Sequence, residues 1–581
     1  MKKPAFRTIA PALAISALLI AAFLVPSRGT FPFNGRLVAC AGYGYGYGYT
    51  GGPPSVTGVS PSSGSIAGGT TVSITGFGYC NFTSSVNFGT TPAASFAVQS
   101  DTLILAVSPA HAAGAVDVTV TNALGVSATS NADQFTFTNT PASSGCSRTQ
   151  YRLTGSDGST WVTMDSANLS RTVTPSVDSY WILTGNADLW TSSLGFNQDL
   201  GIQVVGGTGP SYPTTTGQPE AWKESGGTGG TFSPNAAAVQ TVIFVKAGNT
   251  YGAVLQWKAN QPDSGTIWAG AGPVAGQFSE TCLNSQLVPV SPTTIATKVS
   301  TQQYSLTGNS GSTWVDMDAT NLSLSITAPA DGMILLTANS DLWTSVAGVN
   351  QDIAITVGSA ISAWKESGGS AGTFSPNAAF VQSVIPAANG TTYTAKIQWK
   401  AQQSTSGTIY AGAGPIGSKF SPTRLTALFL PTAQKAIDKV STLQYWNQNS
   451  NGAFWASMDS TRLSIPFTAT ANCTVVLSGN VDLWTASGGI NQDIGIVVVD
   501  TSFPTAAGQP EGWKESGGSS GTFSPNAAYI QIVVSLTAGK SYSVDLVWKA
   551  NQPNSGTIYA GAGPIGGAFS PTRLTLQPIG C

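Results

Sequence analysis

Three times along this chain an asparagine, an aspartate and a tryptophan fall on alternate positions. The sets are Asn186, Asp188 and Trp190, then Asn339, Asp341 and Trp343, then Asn480, Asp482 and Trp484. Each closes a run such as "VVLSGNVDLWT", whose other positions are apolar or small, so in an extended strand the polar set shares one face. A second strand opens with "NQD" a few residues on and adds Asn197 and Asp199, Asn350 and Asp352, and Asn491 and Asp493. If the two strands pair as a hairpin, each copy gathers amide, carboxylate and indole on one patch. An indole face beside hydrogen-bonding groups suits a sugar ring. Carboxylates with amide oxygens suit Ca²⁺ instead, and the aspartates of a recurrent "MD" pair, Asp165, Asp318 and Asp459, could add to such a site. The favoured reading is structural: Asp and Asn near strand ends satisfy turn amides, and a tryptophan there packs under a loop.

A second cassette, "WKESGG", supplies Trp222, Lys223 and Glu224, then Trp364, Lys365 and Glu366, then Trp513, Lys514 and Glu515. Only 9% of the residues are charged, so two charges repeated three times are conspicuous. Glycines on its C-terminal side place the cassette in a loop, and in an extended chain adjacent Lys and Glu point to opposite sides. Half-buried charges in so charge-poor a chain need partners, and Asp188 or Asp199 is within reach of Lys223. A fastener is favoured over a binding loop. A paired-carboxylate glycosidase built on Asp188, Asp199 and Glu224 would require three complete active sites in tandem.

Two further patterns are excluded. "GGSAG" (368–372) and "GGSSG" (517–521) fit a nucleophile elbow, but the first copy has Thr228 there and the single histidine, His111, lies far away in sequence. "GAGPIG" (412–417 and 561–566) fits a dinucleotide fingerprint, yet it contains proline and runs into a strand-like segment, with no helix to hold a pyrophosphate.

The landmarks "MD", "DLWT", "NQD", "WKESGG", "GTFSPNAA", "WKA" and "AGAGP" recur in one order, defining units at 149–289, 298–431 and 440–581. No long segment has a helical period. "YTAKIQWK" (393–400) alternates cleanly and ends each unit's core with Trp257, Trp399 or Trp548. The expected fold is all-β, each unit an antiparallel sandwich of jelly-roll type. Cys146 with Cys282 and Cys473 with Cys581 are candidate disulfides, whereas Cys80 has no evident partner. No Cys/His cluster suggests zinc, and no cofactor is expected apart from the Ca²⁺ alternative.

Ahead of the units, "MKKPAFRTIAPALAISALLIAAFLVPSRG" has a basic start and an apolar run, Ile9–Val25. Residues 1–41 therefore read as an export signal, with cleavage, anchoring and lipidation at "LVAC" all open. Residues 42–52, "GYGYGYGYTGG", read as a tether. Formal net charge is −2, with no basic run beyond the extreme N-terminus, which excludes nucleic acid as a partner. Membrane contact is expected only through the N-terminal segment.

Residues 53–138 contain "SPSSGSIAGGTTVSITGFGY", "VNFG", "VSPA" and "VDVTVTNALGVS". This segment resembles the immunoglobulin-like IPT/TIG family, which implies an Ig-like sandwich with no catalytic residues to carry over; bacterial modules of this type are similar to those of surface adhesins and to spacers of carbohydrate-active enzymes. The repeated units look like a β-rich domain type of bacterial extracellular proteins, and their expected topology is similar to that of tumour-necrosis-factor-like heads and many sugar-binding modules. The chain is thus expected to be a secreted or surface-tethered bacterial protein without enzymatic activity, binding extracellular glycan or another surface ligand through its repeats. The alternatives are a purely structural stalk or coat protein and a polysaccharide-acting enzyme.

Overall fold

In the computed structural model, the described residues are 52–581 except 66–69, 110, 112–113, 139–141, 176, 192, 194–195, 207–218, 226–234, 263–264, 291–294, 345, 347, 368–376, 433–434, 471, 486–489, 501–508, 517–525, 554–555 and 580. The export segment, the Gly/Tyr tether and both "GGSxG" matches lie outside them. Among the described residues the regular structure is β, and no helix is long and apolar enough to cross a membrane.

Alternation in the first domain puts Val72, Ile74, Val118 and Val120 inside, where they meet a T-shaped cluster of Phe88, Phe135 and Phe137. One sheet orders its strands Ser55–Ser60, Thr71–Phe77, Leu103–Val107 and Ser95–Ser100. The other runs through Ser63–Ser65, Gln134–Thr138, Gly114–Asn122, Ser85–Phe88 and Thr91–Pro92. Cys80, for which the sequence offers no partner, is disulfide-bonded.

Each repeat is a pair of antiparallel sheets, a jelly roll. In the first unit, one sheet joins Ala142–Ser147, Thr281–Pro289, Ser179–Thr191 and Asn235–Val245, extended by the short pair Tyr151–Thr154 and Thr266–Ala269. The facing sheet joins Ser170–Val173 and Val162–Thr163 to Tyr251–Ala259, then Gln198–Gly206 and Ala221–Ser225. The second and third units repeat this order. Their first strands, Ala142–Ser147, Ile295–Ser300 and Ile437–Ser441, begin ahead of the landmark-based bounds, because each pairs with the last strand of its own unit.

The "DLWT" and "NQD" strands do not form a hairpin. They sit in opposite sheets, the first beside Asn235–Val245 and Thr281–Pro289, the second between Tyr251–Ala259 and Ala221–Ser225. Strand alternation nevertheless sorts their residues as expected. Trp181, Leu183, Ala187 and Leu189 enter the core with Leu200, Ile202, Val204 and Trp257, while Asn186 and Asp188 leave it. The WKES segment is a five-residue strand, Ala221–Ser225, at the edge of its sheet rather than a loop.

The three units, each long enough to fold as a separate domain, pack against one another instead. Strands Asn235–Val245, Asn377–Ala387 and Asn526–Leu536 lie against one another around a pseudo-threefold axis. At one level Asn235, Asn377 and Asn526 form a ring, each side-chain amide donating to the next carbonyl oxygen at 2.8–3.0 Å. Three residues further along, Ala238, Phe380 and Tyr529 fill one axial layer, with the two rings stacked at 3.9 Å. That layer accommodates one small and two large side chains. Ala238→Phe should overpack it and lower the free energy of unfolding by about 1–3 kcal/mol, measured by urea denaturation of the full chain.

Candidate functional site

The seams between units are where the singled-out residues meet. On the edge strand of the first unit, Trp222 lays its ring on Gly414 of the second. Gly414 has φ +96°, and a β-carbon there would come within 2.9 Å of the indole, so the glycine is required both by conformation and by contact. Lys223 donates to the carbonyl of Pro422, and the backbone N–H of Glu224 donates to Asp341 Oδ2 at 3.1 Å. The second and third units make the same seam: Trp364 against Gly563, Lys365 to the Pro571 carbonyl, and the Glu366 N–H to Asp482. The third closes the ring onto the first, with Trp513 against Gly272, Lys514 to the Glu280 carbonyl, and the Glu515 N–H to Asp188 at 2.9 Å. The "AGAGP" turns excluded as a nucleotide fingerprint are sockets for these tryptophans.

The asparagines of the "DLWT" strands are staples. Asn339 donates to Ala379 within its own unit and to Ala238 of the first; Asn480 joins Ala528 to Phe380; Asn186 joins Ala237 to Tyr529. In the facing sheet Asp199 lies in register between Lys258 and Glu224, and its carboxylate takes the Lys258 ammonium at 2.5 Å. Lys400 with Asp352 and Lys549 with Asp493 repeat the pair. Each of these lysines also stands 5.0–5.3 Å from the ring of Trp161, Trp314 or Trp455. Asn197, Asn350 and Asn491 donate to Glu224, Glu366 and Glu515 at 2.5–2.6 Å.

These contacts correct the expectation of a solvent-facing sugar patch. Asn186, Asp188, Asn197, Asp199, Asn339, Asp341, Asn350, Asp352, Asn480, Asp482, Asn491 and Asp493 are all buried. They hold their own chain together because the outer face of the "DLWT" strand is covered by the neighbouring unit. The calcium alternative is likewise unsupported. Among the described residues no group of three or more His, Cys, Asp or Glu side chains could hold a metal ion. Asp165 of the "MD" pair spends its oxygens on the Ala167 and Asn168 amides, the Asn168 side chain and the Tyr151 hydroxyl, and Asp318 does the same in its unit. Both disulfides, Cys146–Cys282 and Cys473–Cys581, are present.

Solvent reaches the tryptophans of the "DLWT" strands. Trp190, Trp343 and Trp484 are half-buried, each donating its indole N–H to a glycine carbonyl: Gly270, Gly412 or Gly561. Each also stacks on an aromatic ring of the adjacent strand: Trp268 at 5.0 Å, Tyr410 at 4.0 Å and Tyr559 at 4.1 Å, with interplanar angles of 6–8°. Trp190 borders a cleft of about 380 Å³ at the third-to-first seam, lined also by Ala271–Val274, Asp493, Glu515, Asn551 and Gln552. In the sequence these partner rings are marked only by the aromatic position of the recurrent "TIWA" or "TIYA".

Burial pushes the Glu224 carboxyl up to about 8, with Asp199 and Asp341 adding to the rise, and lifts Glu366 and Glu515 well above the ordinary range. Asp199, Asp352 and Asp493 rise to about 6 for the same first cause, partly offset by their lysines. Burial lowers Lys223 and Lys365 to about 8. A carboxyl whose pKa is raised by folding stabilises fully below its unfolded value, and that contribution is lost as pH rises through the folded one. The melting temperature should therefore be several degrees higher near pH 5 than near pH 8. Replacing Glu224, Glu366 and Glu515 by Gln should flatten that slope in a thermal melt series. Lys365→Ala, which strands Asp482 in the seam, should cost about 3–5 kcal/mol in urea unfolding; Lys365→Met with Asp482→Asn should cost less.

A comparison with curated protein sequences finds no match. Among solved structures, the gamma-CGTase of alkalophilic Bacillus clarkii is 14% identical over 40% of this chain, with a TM-score of 0.16; the match spans 26% of that enzyme's length. SGBP-B from a xyloglucan utilization locus of Bacteroides uniformis is 13% identical over 41% of this chain and 74% of its own, with a TM-score of 0.13. VP2 of the infectious bursal disease virus subviral particle is 11% identical over 76% of this chain and 82% of its own, with a TM-score of 0.17. Superpositions this loose carry no argument about ligand or activity. The family match is local: residues 54–137 match the IPT/TIG domain, and this segment, which closes its own two-sheet sandwich, is an IPT/TIG domain.

Proposed function

We propose that this is an exported, surface-tethered or secreted protein without enzymatic activity, whose three jelly-roll units form one head that binds extracellular glycan. The observation that carries the reading is the seam cleft, where the Trp190 stack stands beside Glu515, Asn551 and Gln552. Indole surface with amide and carboxyl groups at one mouth is the mixture a sugar requires. Equivalent residues recur at the other seams: Trp343 with Glu224, Asn260 and Gln261, and Trp484 with Glu366, Gln402 and Gln403. Held in one rigid head, three weak sites gain avidity for a polymer. Two intradomain disulfides favour an oxidising compartment, in keeping with the basic and apolar N-terminal segment.

The absence of enzymatic activity rests on how the carboxyl groups are engaged. Asp493 is paired with Lys549, and one oxygen of Glu515 accepts from both Asn491 and Asn551. A structural stalk or coat protein is the second reading, favoured by the use of every "WKE" triplet inside a seam. Retention of the full chain on a panel of insoluble polysaccharides separates the two. Replacing Trp190, Trp343 and Trp484 together by Ala, with folding checked by circular dichroism, should weaken retention about tenfold or more, at roughly 1.4 kcal/mol per lost stacking contact. No retention of the parent on any polysaccharide would leave the stalk.

A further inference from the structure

Each aromatic stack ends at an edge strand, and the residue there differs in the three units. In the first, Trp190 is in register with Trp268, and Trp268 with Arg152 on Tyr151–Thr154. In the second the row is Trp343, Tyr410 and Ser305; in the third it is Trp484, Tyr559 and Trp446. Residues opposite one another in antiparallel strands share a face, so each row is a line of neighbours crossing three strands. Its ends lie two strand spacings apart, roughly 10 Å, longer than one pyranose ring. The inner two members are aromatic and stacked with nearly parallel planes in every unit. The edge member is free to vary because no further strand covers it in the sheet order.

The variation is chemical. Trp446 is 62% exposed, an unusual position for so large an apolar group, and it lengthens the aromatic row of the third unit to three rings. Arg152, also exposed, stands with its guanidinium carbon 6.0 Å from the Trp268 ring, so the first unit ends its row with a cation held over an indole. Ser305 leaves the end of the row in the second unit small and uncharged. The rows are otherwise alike, each an indole that donates to a glycine carbonyl and stacks on an aromatic ring, so the chemical difference between them is concentrated at the edge position.

We propose that this edge position makes the units distinct sugar sites: Trp446 fits the third to uncharged glycan by stacking, and Arg152 fits the first to carboxylate-bearing glycan. The assignment rests on the glycan reading above. It commits the third row to a neutral polysaccharide because the row ends in the exposed, uncharged indole of Trp446. It commits the first to a uronate polymer because the exposed guanidinium of Arg152, held over the Trp268 ring, pairs with a carboxylate.

The test compares the full chain with Trp446→Ala and Arg152→Ser on two probes, insoluble β-glucan and polygalacturonate. Trp446→Ala should weaken retention on β-glucan about tenfold and leave polygalacturonate binding unchanged. Arg152→Ser should do the reverse, and the binding it removes should be the salt-sensitive part. Ser305→Trp, which gives the second unit the edge residue of the third, should strengthen retention on β-glucan. All three positions are on the solvent side of an edge strand, and unchanged melting temperatures would confirm folding. A parent retained on both probes with variants that discriminate neither overturns the edge assignment while the glycan reading stands. A parent retained on neither probe nor any other polysaccharide overturns both.

Discussion

A lysine ammonium buried at each seam, donating to a backbone carbonyl of the next unit and attracted by an aspartate of that unit, is the constraint on which the assembly depends. Lys223, Lys365 and Lys514 are removed from water in a protein with few charges to spare, and the Glu that follows each one lends its backbone N–H to the same partner aspartate. Desolvating such groups is costly, and attraction offsets that cost only when the donors and acceptors are placed by the fold. A wrong register would strand a charge in an apolar layer. The cassette therefore contributes specificity of docking more surely than net stability. The surrounding tryptophan and glycine contacts supply apolar burial without a competing arrangement.

The ring is closed but not symmetric. Two of its seams join consecutive units, whereas the third joins the last unit to the first without a covalent link between neighbours. At that seam Glu280 stands where the other units have Pro422 and Pro571, and its carboxylate accepts from the Trp513 N–H and pairs with Arg148 at 2.5 Å. Arg148 in turn donates to the Glu511 carbonyl at 2.9 Å. On the axis, Ala238, Phe380 and Tyr529 complement one another in volume. The three differ in size and together fill the one layer, so what each unit places there depends on the other two. Behaviour of one isolated unit is a poor guide to the head.

This division of labour also explains which surface stays accessible. The seam consumes the polar faces of the "DLWT" and "NQD" strands, so the side chains left accessible there are those at the seam mouths and at sheet edges. Those places carry rings locked by stacking and by indole N–H bonds to glycine carbonyls. The IPT/TIG domain, by contrast, keeps a conventional apolar interior of its own.

Alternation of side chains was legible from the sequence, and so were the all-β character, the three units, the IPT/TIG segment and both intradomain disulfide pairs. The all-β character and the units rest on periodicity and repetition, the IPT/TIG segment on a resemblance of its motifs, and the disulfide pairs on where the cysteines fall within a unit, all of which a linear reading can reach. The sequence also showed that "WKESGG" needed partners, since charges are scarce. It could not say that Lys223 would find them in another unit 199 residues away. Nor could it show that the "DLWT" and "NQD" strands lie in opposite sheets, because strand pairing is set by topology rather than by adjacency. Trp446, Tyr559 and Trp484 are scattered in sequence and become one row only when three strands align in register. Local chemistry decided which residues face in or out; only the tertiary structure decided what covers them, because burial at a seam depends on docking between units rather than on any single strand.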